Sequence, residues 1–153
     1  MPEEQGAPKQ IKVKSLNDYL EVMSKVVFQT GISWKVIETK WPEIREAFDN
    51  FEIAEVADYD ERDLEKLSQD TRVIRNYRKL AAIVSNARQI LALDKQYGSF
   101  QKYLRSHGDF EATLKTMHKD FKFMGPVGVY FFLYVVGEKV PEHRQFQKQY
   151  MKK

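Results

Sequence analysis

Two short stretches of this chain carry residue types that could do chemistry. Gln29-Thr30-Gly31-Ile32-Ser33-Trp34 sets a polar turn and a tryptophan between two apolar segments. A pocket for a planar base needs one flat aromatic wall and a few hydrogen-bonding groups for the base edge. Trp34, Gln29 and Ser33 could supply these, although a tryptophan that simply fills the core fits the same residues. The second stretch, Phe121-Lys122-Phe123-Met124-Gly125-Pro126, joins two segments of helical pattern and places Gly125 where the second begins. Backbone amides at a helix N-terminus lack acceptors and attract an anion such as a phosphate. Lys119 and Lys122 would reinforce that attraction, whereas a plain αα-hairpin with a glycine for close packing is the alternative.

Arg75-Asn76-Tyr77-Arg78-Lys79 adds three cations where a long helical pattern opens. Arg75 and Lys79 are candidates for phosphate contacts, and solvation of an outer helix face is the other use for such residues. His107, His118 and His143 are scattered without the spacing of a metal-binding helix, and there is no cysteine. No metal site and no cofactor are expected.

These residues need elements to hold them. Ser15 with Asp18 marks a helix start, and Leu16, Tyr19, Leu20, Met23, Val26 and Val27 follow at helical steps. Gly31 should close that helix and Ser33 cap the next. Pro42 suits the first turn of another short helix reaching Phe48. Further helices are expected around 52–57, around 61–68 with Asp60 as cap, from about Val73 to Tyr97, from Ser99 through Leu104 and from about Phe110 to Phe121. No alternating strand pattern appears. The expectation is an all-α bundle of about seven to nine short helices with a helix-hairpin-helix motif, over residues 15–145. Residues 1–14 read as a loose tail and 146–153 as a basic C-terminal tail.

A length of 153 residues with 42% hydrophobic content suits one packed core. The absence of cysteine excludes disulfides and fits a cytoplasmic, reducing compartment. The apolar run from Val127 to Val136 is too short to span a bilayer, which takes about 20 residues, and reads as a buried helix. The net charge is only +3, but residues 42–70 hold 11 acids against 3 bases, while 71–122 hold 11 bases against 4 acids. An acidic third and a basic half result.

Five stretches in order, from Thr30 to Trp34, from Ala47-Phe48 to Val56-Ala57, from Val73 to Lys79 with Asn86-Ala87, Gly98-Ser99-Phe100, and Phe121 to Pro126, resemble the DNA-3-methyladenine glycosylase I family of the helix-hairpin-helix superfamily. The resemblance covers roughly residues 15–145. It implies that Trp34 lines a base pocket and that the hairpin, with Lys122, Phe123, Gly125 and Lys119, holds double-stranded DNA carrying alkylated bases while the base is flipped out and its glycosidic bond hydrolysed. It also implies a monomer without membrane attachment. Four departures accompany it. The family's N-terminal Tyr-His-Asp-x-Glu-Trp-Gly segment has no counterpart before Ser15. Val26 stands where the family has a pocket glutamate. Of the family's zinc ligands only His143 matches, Gln147 replacing a cysteine. The superfamily's catalytic aspartate aligns with Pro141, which leaves Glu142 as the nearest catalytic candidate. The alternative implied is a silent DNA-binding or damage-sensing module.

Overall fold

The computed structural model describes residues 6–151. Among them run nine α-helices and no strand: α1 Leu16–Gln29, α2 Trp34–Ala47, α3 Ile53–Ala57, α4 Glu61–Gln69, α5 Tyr77–Tyr97, α6 Phe100–Leu104, α7 Phe110–Asp120, α8 Pro126–Val135 and α9 His143–Tyr150. The all-helical expectation is met. Caps sit where the short polar side chains put them: Ser15 accepts from the Asn17 amide, Ser33 from Val36, Ser99 from Lys102 and Asp109 from Ala112. Asp60 and Asp63 form a reciprocal capping box at α4. Gly31 and Gly98, at φ 81° and 87°, provide the left-handed residues that end or follow α1 and α5.

Three expectations differ from the structure. Pro42 does not open a new helix but lies inside α2. A proline removes one backbone donor, yet Trp34, Ile37, Trp41 and Ile44 form one unbroken buried stripe across it, and packing of that stripe holds the helix together. The helix expected from Val73 starts only at Tyr77, because Asp70 takes the amide and guanidinium of Arg72 into a tight turn and Asn76 then caps through the Lys79 amide. The termini are not loose where they are described. Ala7 is buried, the Ile11 amide donates to the Val135 carbonyl (2.8 Å) and the Gln10 carboxamide to that of Tyr134 (3.0 Å). Residues 146–150 complete α9, with Phe146 stacked 4.1 Å from Tyr130.

Residues 49–51 make a left-handed turn, Asp49, Asn50 and Phe51 having φ of 54°, 58° and 54°. Each such residue costs about 1–2 kcal/mol. The turn places the Phe51 ring between Trp41 (5.1 Å, 3°) and Phe48 (5.1 Å, 9°), and stacked pairs of this kind return about 0.5–1.5 kcal/mol each. Trp41 also donates to Glu21 (2.7 Å), which locks α2 onto α1.

α5 is the centre of the molecule, with α1, α3, α4 and α6 packed around it. So much of its circumference is covered that polar side chains go inside with the apolar ones, and Lys79 and Asn86 are both buried. A buried donor without a partner is destabilising. Lys79 donates to the carbonyls of Phe28 (3.0 Å) and Thr30 (2.6 Å), supplying from α5 the cation that the last turn of α1 lacks. Burial holds its ammonium below the usual lysine pKa. Lys79→Met, which keeps the bulk and deletes both bonds, should lower unfolding free energy by about 1–3 kcal/mol in a denaturant titration. An unchanged midpoint would show that the ammonium does not hold this turn.

Candidate functional site

The hairpin between α7 and α8 takes its shape from both flanking helices. The Phe121 amide still bonds to Met117, and its buried ring meets Phe100 and Tyr103 edge-on, so the first aromatic is an anchor. Phe123 is half-buried at φ 58°, a conformation that side chains larger than glycine adopt only under constraint. Gly125 caps α8 in an extended conformation, and Pro126 follows at the first helical position. The first bond within α8 runs from Val129 to Gly125. The amides of Val127 and Gly128 come before it and have no intrahelical acceptor. Lys119 and Lys122 are exposed beside them. Such an edge can receive an anion.

The alternative of a plain hairpin with Gly125 for close packing does not fit, since a side chain there would meet nothing within 4 Å. The close approach is one turn on. A Cβ on Gly128 would lie 2.9 Å from Cγ1 of Val26, so α1 and α8 touch at these two residues. Val26 is thus wedged against α8, and no carboxylate occupies that position.

Trp34 opens α2 and is 5% exposed. Its indole stands edge-on to Phe131 of α8 at 5.5 Å. Phe131 is five residues beyond Pro126, a rise of about 7.5 Å along the helix. α8 therefore carries the hairpin edge, the Val26 contact and the Trp34 contact along one and a half turns. The other neighbour of Trp34 is the N-terminal strap. A Cβ on Gly6 would sit 3.3 Å from the Trp34 Cβ, and Gly6 has φ 88°, so the backbone lies directly on the side chain. Gln29 is half-buried and its carbonyl receives the Ile32 amide (2.8 Å), while Ser33 is exposed and used as the α2 cap.

The remaining candidates lie elsewhere. Arg75 is exposed, but about 15 Å of helix axis separates the start of α5 from Asn86, which faces the hairpin. Lys79 points inward, as described, and offers no outward charge. Arg72 is paired with Asp70 and Glu46, Arg88 binds the Ala57 and Tyr59 carbonyls, and Arg105 pairs with Glu138. Much of the basic half is thus consumed internally. Glu142 is exposed just ahead of α9, in a cleft with Gln10, Tyr134 and Arg144. Its neighbour His143 stacks on Tyr130 (5.4 Å, 19°) and meets Phe131 at 6.0 Å. With one histidine, Gln147 one turn on and no cysteine in the chain, the donor set does not fit a tetrahedral zinc. No cluster of three or more metal-ligating side chains occurs among the described residues. Asn86, His118, Gly128 and Gly6 carry no signal in the sequence for the contacts they make here. Asn86 lay within a noted stretch, but its partner is 36 residues away and leaves no local signal.

The described residues are all-helical, with a hairpin between α7 and α8 and an aromatic turn at the start of α2. The methyladenine glycosylase family model matches residues 11–120, and the chain belongs to that family. It is 35% identical over 78 residues to DNA-3-methyladenine glycosylase 1 of Escherichia coli (strain K12) and, at the same identity and length, to DNA-3-methyladenine glycosylase of Haemophilus influenzae. These matches take in 51% of this chain and 42% of each relative, less than half the length of those curated proteins. Its structure is similar to 3-methyladenine DNA glycosylase I (TAG) from Staphylococcus aureus, with a TM-score of 0.74 at 27% identity over 87% of this chain and 81% of that one. It is equally similar, at TM-score 0.74 and 28% identity over 88% and 83%, to a variant of 3-methyladenine DNA glycosylase I in complex with 3-methyladenine. Among the described residues no helix is long and apolar enough to cross a membrane.

The packing of Gly6 on Trp34 is open to a direct test. Gly6→Val combines a strained backbone with a side chain that overlaps Trp34. In protein labelled with 5-fluorotryptophan, the Trp34 resonance should gain a solvent isotope shift in this variant while that of Trp41 stays fixed. Two unmoved resonances would mean that the strap does not cover Trp34.

Proposed function

We propose that this protein grips duplex DNA through the α7–α8 hairpin and releases positively charged alkylated purines, such as 3-methyladenine, from it. The observation that carries the reading is the line of contacts along α8, which sets a hairpin edge with two orphan amides and exposed Lys119 and Lys122 about 7.5 Å from the Trp34 contact. Phosphate contacts of this kind position a protein on DNA without reading sequence. Arg75 and Arg78 are exposed at the far end of α5 and would form a second, separate set of phosphate contacts.

The chemistry is dissociative. The C1′–N9 bond breaks with its electron pair going to the base, a cationic alkyladenine leaves neutral, and water adds to the sugar cation with loss of a proton. A leaving group already carrying charge lowers the demand for a general base. This suits a site in which Val26 offers no carboxylate and Glu142 is an exposed residue beside Arg144. Trp34 and Gln29 supply the stacking wall and edge contact, once the strap over Trp34 has moved. The protein acts alone, as a monomer in the cytoplasm, with no cofactor.

A second reading is favoured by one observation: Gly6 lies directly on Trp34 and Val26 is packed against Gly128, so Trp34 is covered. On that reading the chain binds DNA and senses damage without excision. Incubation with methylated duplex and chromatography of released bases separates the two. Release of 3-methyladenine, lost in Trp34→Ala with duplex affinity nearly unchanged, is expected. No release by a protein that still binds duplex would favour the silent module, and release of uracil would overturn the dissociative mechanism. Lys122→Glu should weaken duplex binding and flatten its salt dependence by about one unit or more in slope. Unaltered binding across a salt series would exclude the hairpin as the contact.

A further inference from the structure

We infer that Asn86 is a positioning residue for the DNA-binding hairpin, holding it in its phosphate-receiving shape from the middle of α5. The inference rests on the hairpin being the DNA contact. Asn86 is only 1% exposed, and both ends of its carboxamide are spent on the backbone of one residue. Its Nδ2 donates to the Lys122 carbonyl (3.1 Å) and its Oδ1 accepts from the Lys122 amide (2.8 Å). This two-point pairing does for an isolated loop residue what a neighbouring strand does in a sheet. It turns both backbone groups of Lys122 inward, while the Lys122 side chain remains exposed.

A second tie falls two residues later. The His118 ring lies with Nδ1 3.1 Å from the Met124 carbonyl. A carbonyl can only accept, so Nδ1 carries the hydrogen. The ties at 122 and 124 bracket Phe123, whose φ of 58° is unfavourable for a side chain of that size. Such a residue persists only where its surroundings over-determine it. Asn86 and His118 supply that determination, and Phe123 in turn sets the direction in which the chain enters Gly125 and presents the amides of Val127 and Gly128. A loop held this way does not have to be ordered when it meets a phosphate, and ordering at the moment of binding weakens affinity. Nothing in the sequence of the hairpin itself would fix it. The fixing group lies on another helix.

The test is duplex binding by fluorescence anisotropy, together with hydrogen exchange at the Lys122 amide. Asn86→Ala removes both bonds, and Asn86→Asp keeps the acceptor and removes the donor. Phe51→Leu, in the remote aromatic stack, controls for general destabilisation, and Lys122→Glu reports whether the hairpin touches DNA at all. At 25 °C we expect Asn86→Ala to bind at least about tenfold more weakly, the scale of one or two lost hydrogen bonds. Asn86→Asp should fall between it and the parent, and Phe51→Leu should bind as the parent does. In the unsubstituted protein the Lys122 amide should be protected although it lies outside any helix, and Asn86→Asp should retain that protection better than Asn86→Ala. Parent-like affinity in the Asn86 variants while Lys122→Glu is impaired would overturn the positioning role alone. Parent-like affinity in Lys122→Glu as well would overturn the hairpin contact and this inference with it. If Asn86→Ala does not fold, a freely exchanging Lys122 amide in the parent would be sufficient to overturn the inference, and a protected one combined with weakened binding in Asn86→Asp would sustain it.

Discussion

The burial of α5 is the constraint on which the rest of the structure depends. A helix with neighbours on several sides has no solvent face for its polar residues along much of its length, so each must be bonded inside. Lys79 meets that demand by closing the end of α1, and Asn86 meets it by holding Lys122. The same helix therefore fixes the turn that leads to Trp34 and the hairpin that α8 extends. Two sites that are about 90 residues apart in sequence are tied to one rigid element about two turns apart along its axis.

The aromatic end of the site is closed by packing. Trp34 lies between Phe131 and the backbone of Gly6, and Val26 meets Gly128 too closely for either to be larger. A site closed in this way without a carboxylate asks that its ligand be worth the opening. Under the proposed function that ligand is a cationic alkylpurine, which stacks well on an indole face and needs little assistance to leave. The strap is held on the last turn of α8 by Gln10 and Ile11.

Several local interactions were legible in the sequence, although the Asp70–Arg72 turn and the Asn76 cap, equally local, were not. Ser15, Ser33, Asp60, Ser99, Gly31 and Gly98 act within three residues of their own positions, and all were readable as caps or stops. Pro42 misled because the stripe from Trp34 to Ile44 outweighs one missing donor. The strap and α9 were read as tails because their polar composition hides anchors, Gln10 and Ile11 on α8 and Phe146 on Tyr130, whose partners lie far from them in sequence. The same reason applies to the candidate site. Trp34, Lys122 and Gly125 were visible as residue types, whereas the inward turn of Lys79, the Asn86 clamp and the Val26–Gly128 contact depend on partners 36 to 102 residues away. The charge asymmetry was visible too, but its meaning was not, since Arg72, Arg88 and Arg105 are bonded within the protein.

The central claim is that the hairpin edge at the start of α8 receives a DNA phosphate. The most direct measurement is an amide-resolved NMR titration with a short unmodified duplex at low salt. The account predicts that the largest shifts fall on the amides of Val127 and Gly128 with those of residues 119–125, and that they fade as salt is raised. Shifts confined to α3 and α4, or to the strap with the hairpin unmoved, would contradict it.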